Sequence, residues 1–123
     1  MVEQSLQGRR ILVVEDEYFL AADVRDALSE AGAEVLGPVP SVGEATALIA
    51  QEGHIDAAVL DINLRGDLVF PVADALRARG VPFAFATGYD RWALPDRFAD
   101  ALRVEKPLQA RSIASALGRL LTP

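Results

Sequence analysis

The sequence predicts an α/β fold: a doubly wound, five-stranded parallel sheet with helices on both faces. Two observations carry this prediction. Short β-branched runs alternate along the chain with stretches of helical periodicity. The strand runs are almost continuously apolar, which is typical of strands covered on both faces. Right-handed crossovers between such strands distribute the helices over the two faces of the sheet.

The five predicted strands share a short apolar run that ends at a polar or turn residue. They cover residues 10–15, 34–37, 56–61, 81–87 and 102–104. The last run is the shortest, and its pattern is the weakest. The others are rich in valine, isoleucine, leucine and phenylalanine, which favour a buried strand.

Helix signals fill the connections between these strands. Helices are predicted in four segments. The first helix covers residues 17–31, and the second follows the capping box Ser41–Glu44. The third has Pro71 in its first turn, and the last covers about residues 109–121. The stretch 88–100 differs, because Gly88 and Pro95 interrupt it. A fourth helix in that connection is therefore expected to be short or irregular.

Length and composition limit the domain organisation and the function. The 123 residues, 51% of them hydrophobic, fit one folded domain over 9–123 after a loose polar leader over 1–8. With no cysteine and one histidine, His54, disulfides, thiolate chemistry and most zinc sites are excluded. A net charge of −6 argues against nucleic acid or an anionic membrane as a partner. Since neither a signal peptide nor a long apolar run is present, we expect a cytoplasmic protein.

Polar residues with compatible chemistry follow four of the predicted strands. They are Glu15–Asp16–Glu17 after the first strand, Asp61 and Asn63 at the third, Thr87 at the fourth, and Lys106, the only lysine, after the fifth. The carboxyl ends of parallel strands meet at one edge of a sheet, where such folds place their binding crevice. We therefore expect these side chains to lie close together.

Clustered carboxylates repel one another, and a hard divalent cation removes that conflict. Oxygen ligands without histidine or cysteine favour Mg²⁺. A carboxylate beside such an ion can attack phosphorus to form an acyl phosphate. A hydroxyl and an ammonium group would then neutralise the phosphoryl oxygens.

Each of these residues also has a purely structural explanation. Asp16 can cap the first helix, Asp61 and Asn63 can stabilise turns, Thr87 is a common strand-ending residue, and Lys106 can belong to a surface turn. Taken singly, most of them favour that explanation. The functional hypothesis depends on their conjunction at four strand ends.

Four segments give the chain a resemblance to a known family. Leu12–Asp16, Val59–Asn63, Phe85–Gly88 and Glu105–Pro107 resemble the motifs of CheY-like receiver domains of two-component response regulators. The resemblance covers about residues 9–121. It implies a flavodoxin-like fold and a role in phosphorelay signal transduction.

The resemblance also implies a role for each acidic residue. Asp61 would be the phosphoacceptor, carrying a 4-aspartylphosphate. Mg²⁺ would be held by Glu15, Asp16, Asp61 and the backbone carbonyl of Asn63.

Further roles follow from the same resemblance. Thr87 and Lys106 would contact the phosphoryl group, and the bond between Lys106 and Pro107 would be cis. The phosphoryl donor would be a histidine kinase or a phosphotransfer protein, and the output would be protein–protein contact. Such a domain is not an enzyme beyond its self-catalysed phosphotransfer and autodephosphorylation.

Two departures from the usual receiver pattern point to a subgroup. Arg103 stands where receivers usually carry the aromatic partner of the threonine, and the stretch 88–100 is broken. With Pro82–Tyr89, these features resemble the FATGUY receivers, which are often single-domain and work with HWE or HisKA2-type histidine kinases. Because a buried charge is costly, Arg103 is expected to point outward. Ordering of the broken stretch is then expected to transmit phosphorylation.

Two other functions are compatible with the fold class. A haloacid dehalogenase-type phosphatase also forms an aspartyl phosphate, but it needs a second acid where Asn63 stands. A flavodoxin-like binding module needs a phosphate-binding first loop, and Glu15–Glu17 would repel a phosphate. Incubation with acetyl phosphate and Mg²⁺ separates the three functions.

Overall fold

The computed structural model describes residues 6–88, 94–106 and 109–121. The strands are β1 Arg10–Val14, β2 Glu34–Val39, β3 Ala57–Asp61, β4 Asn63–Leu64, β5 Asp67–Leu68, β6 Phe83–Thr87 and β7 Leu102–Glu105. The helices are α1 Tyr18–Glu30, α2 Val42–Gln51, α3 Phe70–Ala78 and α4 Ala110–Leu121, with a 3₁₀ helix at Asp96–Phe98. No helix in these ranges combines the length and apolar character needed to cross a membrane.

Five of the strands form one parallel sheet in the order β2-β1-β3-β6-β7. The chain moves from β1 outward to β2 and then returns to the other side of β1 to form β3. This reversal opens a crevice beyond the carboxyl ends of β1 and β3, as expected of a doubly wound sheet. The predicted fold class is confirmed.

Two apolar layers cover the sheet, and strand β1 contributes to both. Leu12 and Val14 belong to the layer that includes α2 and α3, while Ile11 and Val13 belong to the layer that includes α1 and α4. This alternation follows from the two-residue period of a strand. Burial on both faces explains why β1 and β3 have continuously apolar sequences.

Four phenylalanine side chains form the centre of the α2–α3 layer. Phe98 is fully buried and stacks on Phe70 with ring centroids 5.7 Å apart, and it contacts Phe83 and Phe85 edge to face. Phe98 ends the 3₁₀ helix, so this cluster anchors the segment that leads into β7. Phe98 therefore belongs to the core.

The irregular fourth connection agrees with the prediction as far as the structure describes it. Residues 94–100 contain a single 3₁₀ turn, Asp96–Phe98, which begins after Pro95. Residues 89–93 lie outside the described ranges, so the prediction for that part of the stretch 88–100 is not tested. The expected cis bond between Lys106 and Pro107 also lies outside them.

The hairpin between β3 and α3 was not expected from the sequence. Strands β4 and β5 pair antiparallel, with Asn63 opposite Leu68 and Leu64 opposite Asp67. The turn between them uses positive φ angles at Arg65 (54°) and Gly66 (96°). Such a turn suits a two-residue hairpin, and Gly66 was its only clear signal.

The expectation of a loose leader is wrong for its last residues. Leu6 is fully buried in the α1–α4 layer, and its N–H donates to the carbonyl of Ala31 at 3.0 Å. The N–H of Gly8 likewise donates to the carbonyl of Gly32 at 3.1 Å. Burial of the apolar Leu6 side chain favours this packing.

The phenylalanine cluster generates a stability prediction. Replacing Phe98 with alanine removes a fully buried ring and leaves a cavity, so Phe98→Ala should lower the free energy of unfolding by about 3–5 kcal/mol. Urea unfolding followed by circular dichroism measures the change. Phe19→Ala is the matched control, because the Phe19 ring is largely exposed and its loss should cost less than about 0.5 kcal/mol. Equal losses in the two variants would contradict this account of the core.

Candidate functional site

The register of the sheet brings the predicted acidic residues together at its carboxyl edge. Val14 is paired with Leu60, so Glu15 and Asp61 follow side by side on neighbouring strands. One carboxylate oxygen from each of Glu15, Asp16 and Asp61 lies within 4.8 Å of the others. The structure therefore assembles the three carboxylates that the sequence placed at the ends of two strands.

Two of these carboxyl groups lie inside the protein. Glu15 is 6% exposed and Asp61 is 8% exposed, and they are the buried charged residues of the described ranges. Asp16 lies at the rim with a side chain that is 16% exposed. Burial of ionised carboxylates is unfavourable unless a cation and hydrogen bonds compensate for it. The cluster must therefore have positively charged partners.

Lys106 is the cation that reaches both buried acids. Its Nζ lies 3.1 Å from Oδ1 of Asp61 and 3.4 Å from Oε1 of Glu15. The backbone N–H of Lys106 donates to the carbonyl of Thr87 at 2.7 Å, which fixes the end of β7 against the end of β6. The position of the ammonium group thus depends on the parallel pairing of these two strands.

Burial and proximity change the protonation of the cluster. Burial, followed by contact with Asp61, raises the pKa of Glu15 to about 8, although Lys106 opposes this shift. Burial by itself would lower the pKa of Lys106, but attraction to Asp61 and Glu15 outweighs it, and the pKa of Lys106 is raised. Burial therefore favours the protonated form of Glu15, and the neighbouring acids favour the charged form of Lys106.

The donor set fits a hard divalent cation. Oε2 of Glu15 is buried without a hydrogen-bond partner, and it belongs to the same group of three carboxylates. An ion bound here would satisfy this oxygen and relieve the repulsion between the acids. Oxygen-only ligands are those that Mg²⁺ prefers.

Asn63 and Thr87 lie at the same edge of the sheet. The side-chain oxygen of Asn63 accepts a hydrogen bond from the N–H of Gly66 at 2.7 Å, so it stabilises the hairpin turn. Thr87 is half-buried as the last residue of β6. The roles expected for the Asn63 carbonyl and the Thr87 hydroxyl stay predictions.

Arg103 points outward, as expected. It is exposed on β7, while its neighbour Val104 is buried. Within the described ranges, no carboxylate lies at ion-pair distance from Arg103. The position usually filled by an aromatic side chain in receivers therefore presents a charge at the surface.

Three residues near the cluster were missed by sequence reasoning. Tyr18 and Phe19, in the first turn of α1, are 78% and 77% exposed, and their rings meet edge to face at 5.4 Å. They fall outside the apolar face of α1, which was a signal available in the sequence. The third residue is Arg65, whose Nε lies 3.4 Å from Oδ2 of Asp16. No sequence pattern predicts that contact.

Comparison with solved structures yields close matches. The chain is 41% identical to SdrG from Sphingomonas melonis Fr1, over 94% of this chain and 98% of that one, with a TM-score of 0.82. It is 40% identical to the BeF3-activated conformation of SdrG from Pseudomonas melonis Fr1, over 99% and 100% of the two chains, with a TM-score of 0.77. A response regulator receiver protein from Sinorhizobium medicae WSM419 is 25% identical over 94% and 96%, also with a TM-score of 0.77. No protein-family model and no curated protein matches the sequence.

The raised pKa of Glu15 generates a prediction about pH. A carboxyl group whose pKa rises from 4.5 to about 8 on folding stabilises the fold below pH 4.5, and that contribution is lost as the pH rises toward 8. Without divalent cations, the wild type should therefore lose stability over this range. Glu15→Gln should not show this loss, because a neutral amide replaces the titrating group.

Urea unfolding in EDTA at several pH values between 5 and 9 measures the effect. Glu17→Gln is the matched control, since Glu17 is exposed two residues further along the chain and should keep the wild-type pH dependence. A Glu15→Gln variant that loses stability as steeply as the wild type would contradict the assignment.

Proposed function

Because the chain belongs to the receiver-domain family of response regulators, we propose that it accepts a phosphoryl group on Asp61 with Mg²⁺ bound. The donor would be the phosphohistidine of a histidine kinase or of a phosphotransfer protein. The observation that carries the proposal is the joint position of Glu15, Asp16 and Asp61 around one point, with Lys106 against Asp61. With a divalent cation held by the three carboxylates, that arrangement would suit a dianionic phosphoryl group.

The environments of the three acids explain why Asp61 would be the acceptor. Burial raises the pKa of Glu15 to about 8, which disfavours its ionised, nucleophilic form. Asp16 is engaged with a guanidinium group at the rim. Asp61 instead faces an ammonium group at 3.1 Å, the shorter of the two contacts that Lys106 makes with the buried acids.

The proposed reaction transfers the phosphoryl group without an external oxidant or reductant. A carboxylate oxygen of Asp61 attacks phosphorus, and the bond from phosphorus to the donor's histidine nitrogen breaks with its electron pair left on nitrogen. The ammonium group of Lys106, which contacts the Asp61 carboxylate, would then contact the phosphoryl oxygens, where the negative charge lies. Glu15, Asp16 and Asp61 would hold Mg²⁺, which would supply further positive charge to those oxygens.

Asn63 supports acceptance of a phosphoryl group over turnover of external phosphate esters. A haloacid dehalogenase-type phosphatase needs a general acid two residues after its nucleophile. Asn63 stands at that position, and its side-chain oxygen is held by Gly66. We therefore propose that the chain does not act as an enzyme on external substrates.

The exposed aromatic pair beside the site suits a docking partner. Tyr18 and Phe19 begin two residues after Asp16 and expose most of their rings. Large exposed aromatic side chains commonly serve as interface anchors. We propose that they contact the protein that delivers the phosphoryl group, and that this donor is a histidine kinase of the HWE or HisKA2 type.

Output is proposed to pass through the segment after β6. Thr87 would move toward the phosphoryl group and carry Gly88 with it, while Lys106 is drawn to the same group. The exposed position of Arg103 supports a route that does not depend on burying an aromatic ring at β7. The altered surface over residues 87–108 would then change affinity for another protein.

Identity of the acceptor is the first prediction from this proposal. Incubation with acetyl phosphate and Mg²⁺ should add one phosphoryl mass to the wild type, and Asp61→Asn should abolish the addition. Intact-mass spectrometry measures it. Asp67→Asn is the control, because Asp67 is an exposed acid on the hairpin and should be dispensable. Phosphorylation of Asp61→Asn at wild-type extent would refute the assignment.

The second prediction from this proposal concerns docking of the phosphoryl donor on Tyr18 and Phe19. The double variant Tyr18→Ser/Phe19→Ser should slow transfer from an autophosphorylated HWE or HisKA2 kinase by about tenfold or more, since it removes two exposed anchors. Phosphorylation by acetyl phosphate should be unchanged, because a small donor needs no docking surface. Gel assays with radiolabelled kinase measure the first rate, and intact mass measures the second. If both rates fell equally, the pair would belong to the chemistry of the site and not to docking.

A further inference from the structure

The turn of the β4–β5 hairpin carries an arginine in an unusual backbone conformation. Arg65 has a φ of 54°, in the left-handed region that residues other than glycine rarely adopt. Gly66 follows with a φ of 96°, and its N–H donates to the side-chain oxygen of Asn63 at 2.7 Å. Asn63 and Gly66 thus fix the turn and hold Arg65 at its tip.

The side chain of Arg65 reaches back to the acidic cluster. Its Nε lies 3.4 Å from Oδ2 of Asp16, the outermost of the three carboxyl groups. The Arg65 side chain is 82% exposed, while that of Asp16 is 16% exposed. Most of the arginine lies in water, and its ion pair with Asp16 is the contact that joins it to the acidic cluster.

Each acid of the cluster lies near a cation, and Arg65 is the one beside Asp16. Lys106 lies against Asp61 and Glu15, and Arg65 lies against Asp16. Every carboxyl group that could hold a divalent cation therefore already has a cationic neighbour. An ion that binds to Asp16 must replace the guanidinium there or bind beside it against its repulsion.

We propose that Arg65 is an intramolecular competitor of the divalent cation for Asp16. In the cation-free protein its guanidinium partly neutralises Asp16, and binding of the ion displaces it from that carboxylate. Arg65 thereby lowers the cation affinity of the site. This inference rests on the proposed function only in taking Asp16 as a cation ligand.

The exposure of Arg65 limits the size of the effect. An exposed arginine–carboxylate pair is weak and is screened by salt. Removing the guanidinium should therefore tighten Mg²⁺ binding by about two- to fivefold at low ionic strength. The gain should shrink as monovalent salt is added, because salt weakens the competing pair in the wild type.

Isothermal titration calorimetry with Mg²⁺, without any phosphoryl donor, tests the inference. Arg65→Gln removes the charge and keeps a long polar side chain, so it should bind Mg²⁺ more tightly than the wild type. Arg65→Lys keeps the charge and should stay within about twofold of the wild type. If Arg65→Gln weakens the fold, Arg65→Asn repeats the test, because asparagine tolerates a positive φ.

Arg25→Gln is the matched control. Arg25 also forms an exposed ion pair through Nε, 3.3 Å from Oδ1 of Asp26 on α1, outside the acidic cluster. This variant changes the net charge by the same amount as Arg65→Gln. It should leave Mg²⁺ affinity at the wild-type value, so any gain specific to Arg65→Gln reports on the local contact.

The outcomes separate this inference from the proposed function. A selective gain in Arg65→Gln that falls with added salt supports the competition. Unchanged or weaker Mg²⁺ binding in Arg65→Gln, or an equal gain in Arg65→Lys or Arg25→Gln, overturns it while the phosphoacceptor role of Asp61 stands. A wild type that binds no Mg²⁺ overturns both.

Discussion

The contact of Lys106 with two buried carboxyl groups is the constraint on which the site depends. Asp61 and Glu15 lie in surroundings where an unpaired charge is strongly unfavourable, and a single ammonium group lies within 3.4 Å of both. Burial and the neighbouring Asp61 raise the pKa of Glu15, because one cation does not fully compensate for two ionised acids. The site is therefore under-compensated in positive charge. Binding of a divalent cation, or of the phosphoryl group with that cation, changes the balance that raises this pKa.

The parallel sheet makes this contact possible by its register alone. Glu15 and Asp61 follow a matched pair of residues on β1 and β3, while Lys106 follows Glu105, which is paired with Thr87 of β6. Four strands therefore deliver the chemistry to one edge, and the apolar layers on both faces hold those strands in place. The phenylalanine cluster around Phe98 secures the segment that leads to β7. Packing far from the acids thus contributes to the position of Lys106.

The sequence alone predicts the sheet and the acidic cluster, because buried strands leave clear apolar patterns in the sequence. Continuously apolar strands led to the sheet, and the polar residues at the strand ends led to the acidic cluster and Lys106. The β4–β5 hairpin escaped prediction because its strands have two residues each, too few for a pattern. Leu6 was assigned to a loose leader because a single apolar residue has no periodicity. The contact between Arg65 and Asp16 depends on a positive φ in a turn, which sequence patterns do not encode for arginine.

The exposed residues Arg65, Tyr18 and Phe19 lie at the rim of a buried site whose position the sheet largely determines. A buried acid cluster is constrained by desolvation, so its residues have few substitutes. The rim is different: Arg65, Tyr18 and Phe19 are mostly in water, and their replacement costs the fold little. Affinity for a cation and affinity for a partner protein can therefore vary at the rim while Asp61, Glu15 and Lys106 stay fixed. Because Asp16 belongs to both regions, as a member of the cluster and as the partner of Arg65, it is the residue through which the hairpin can influence the buried charges.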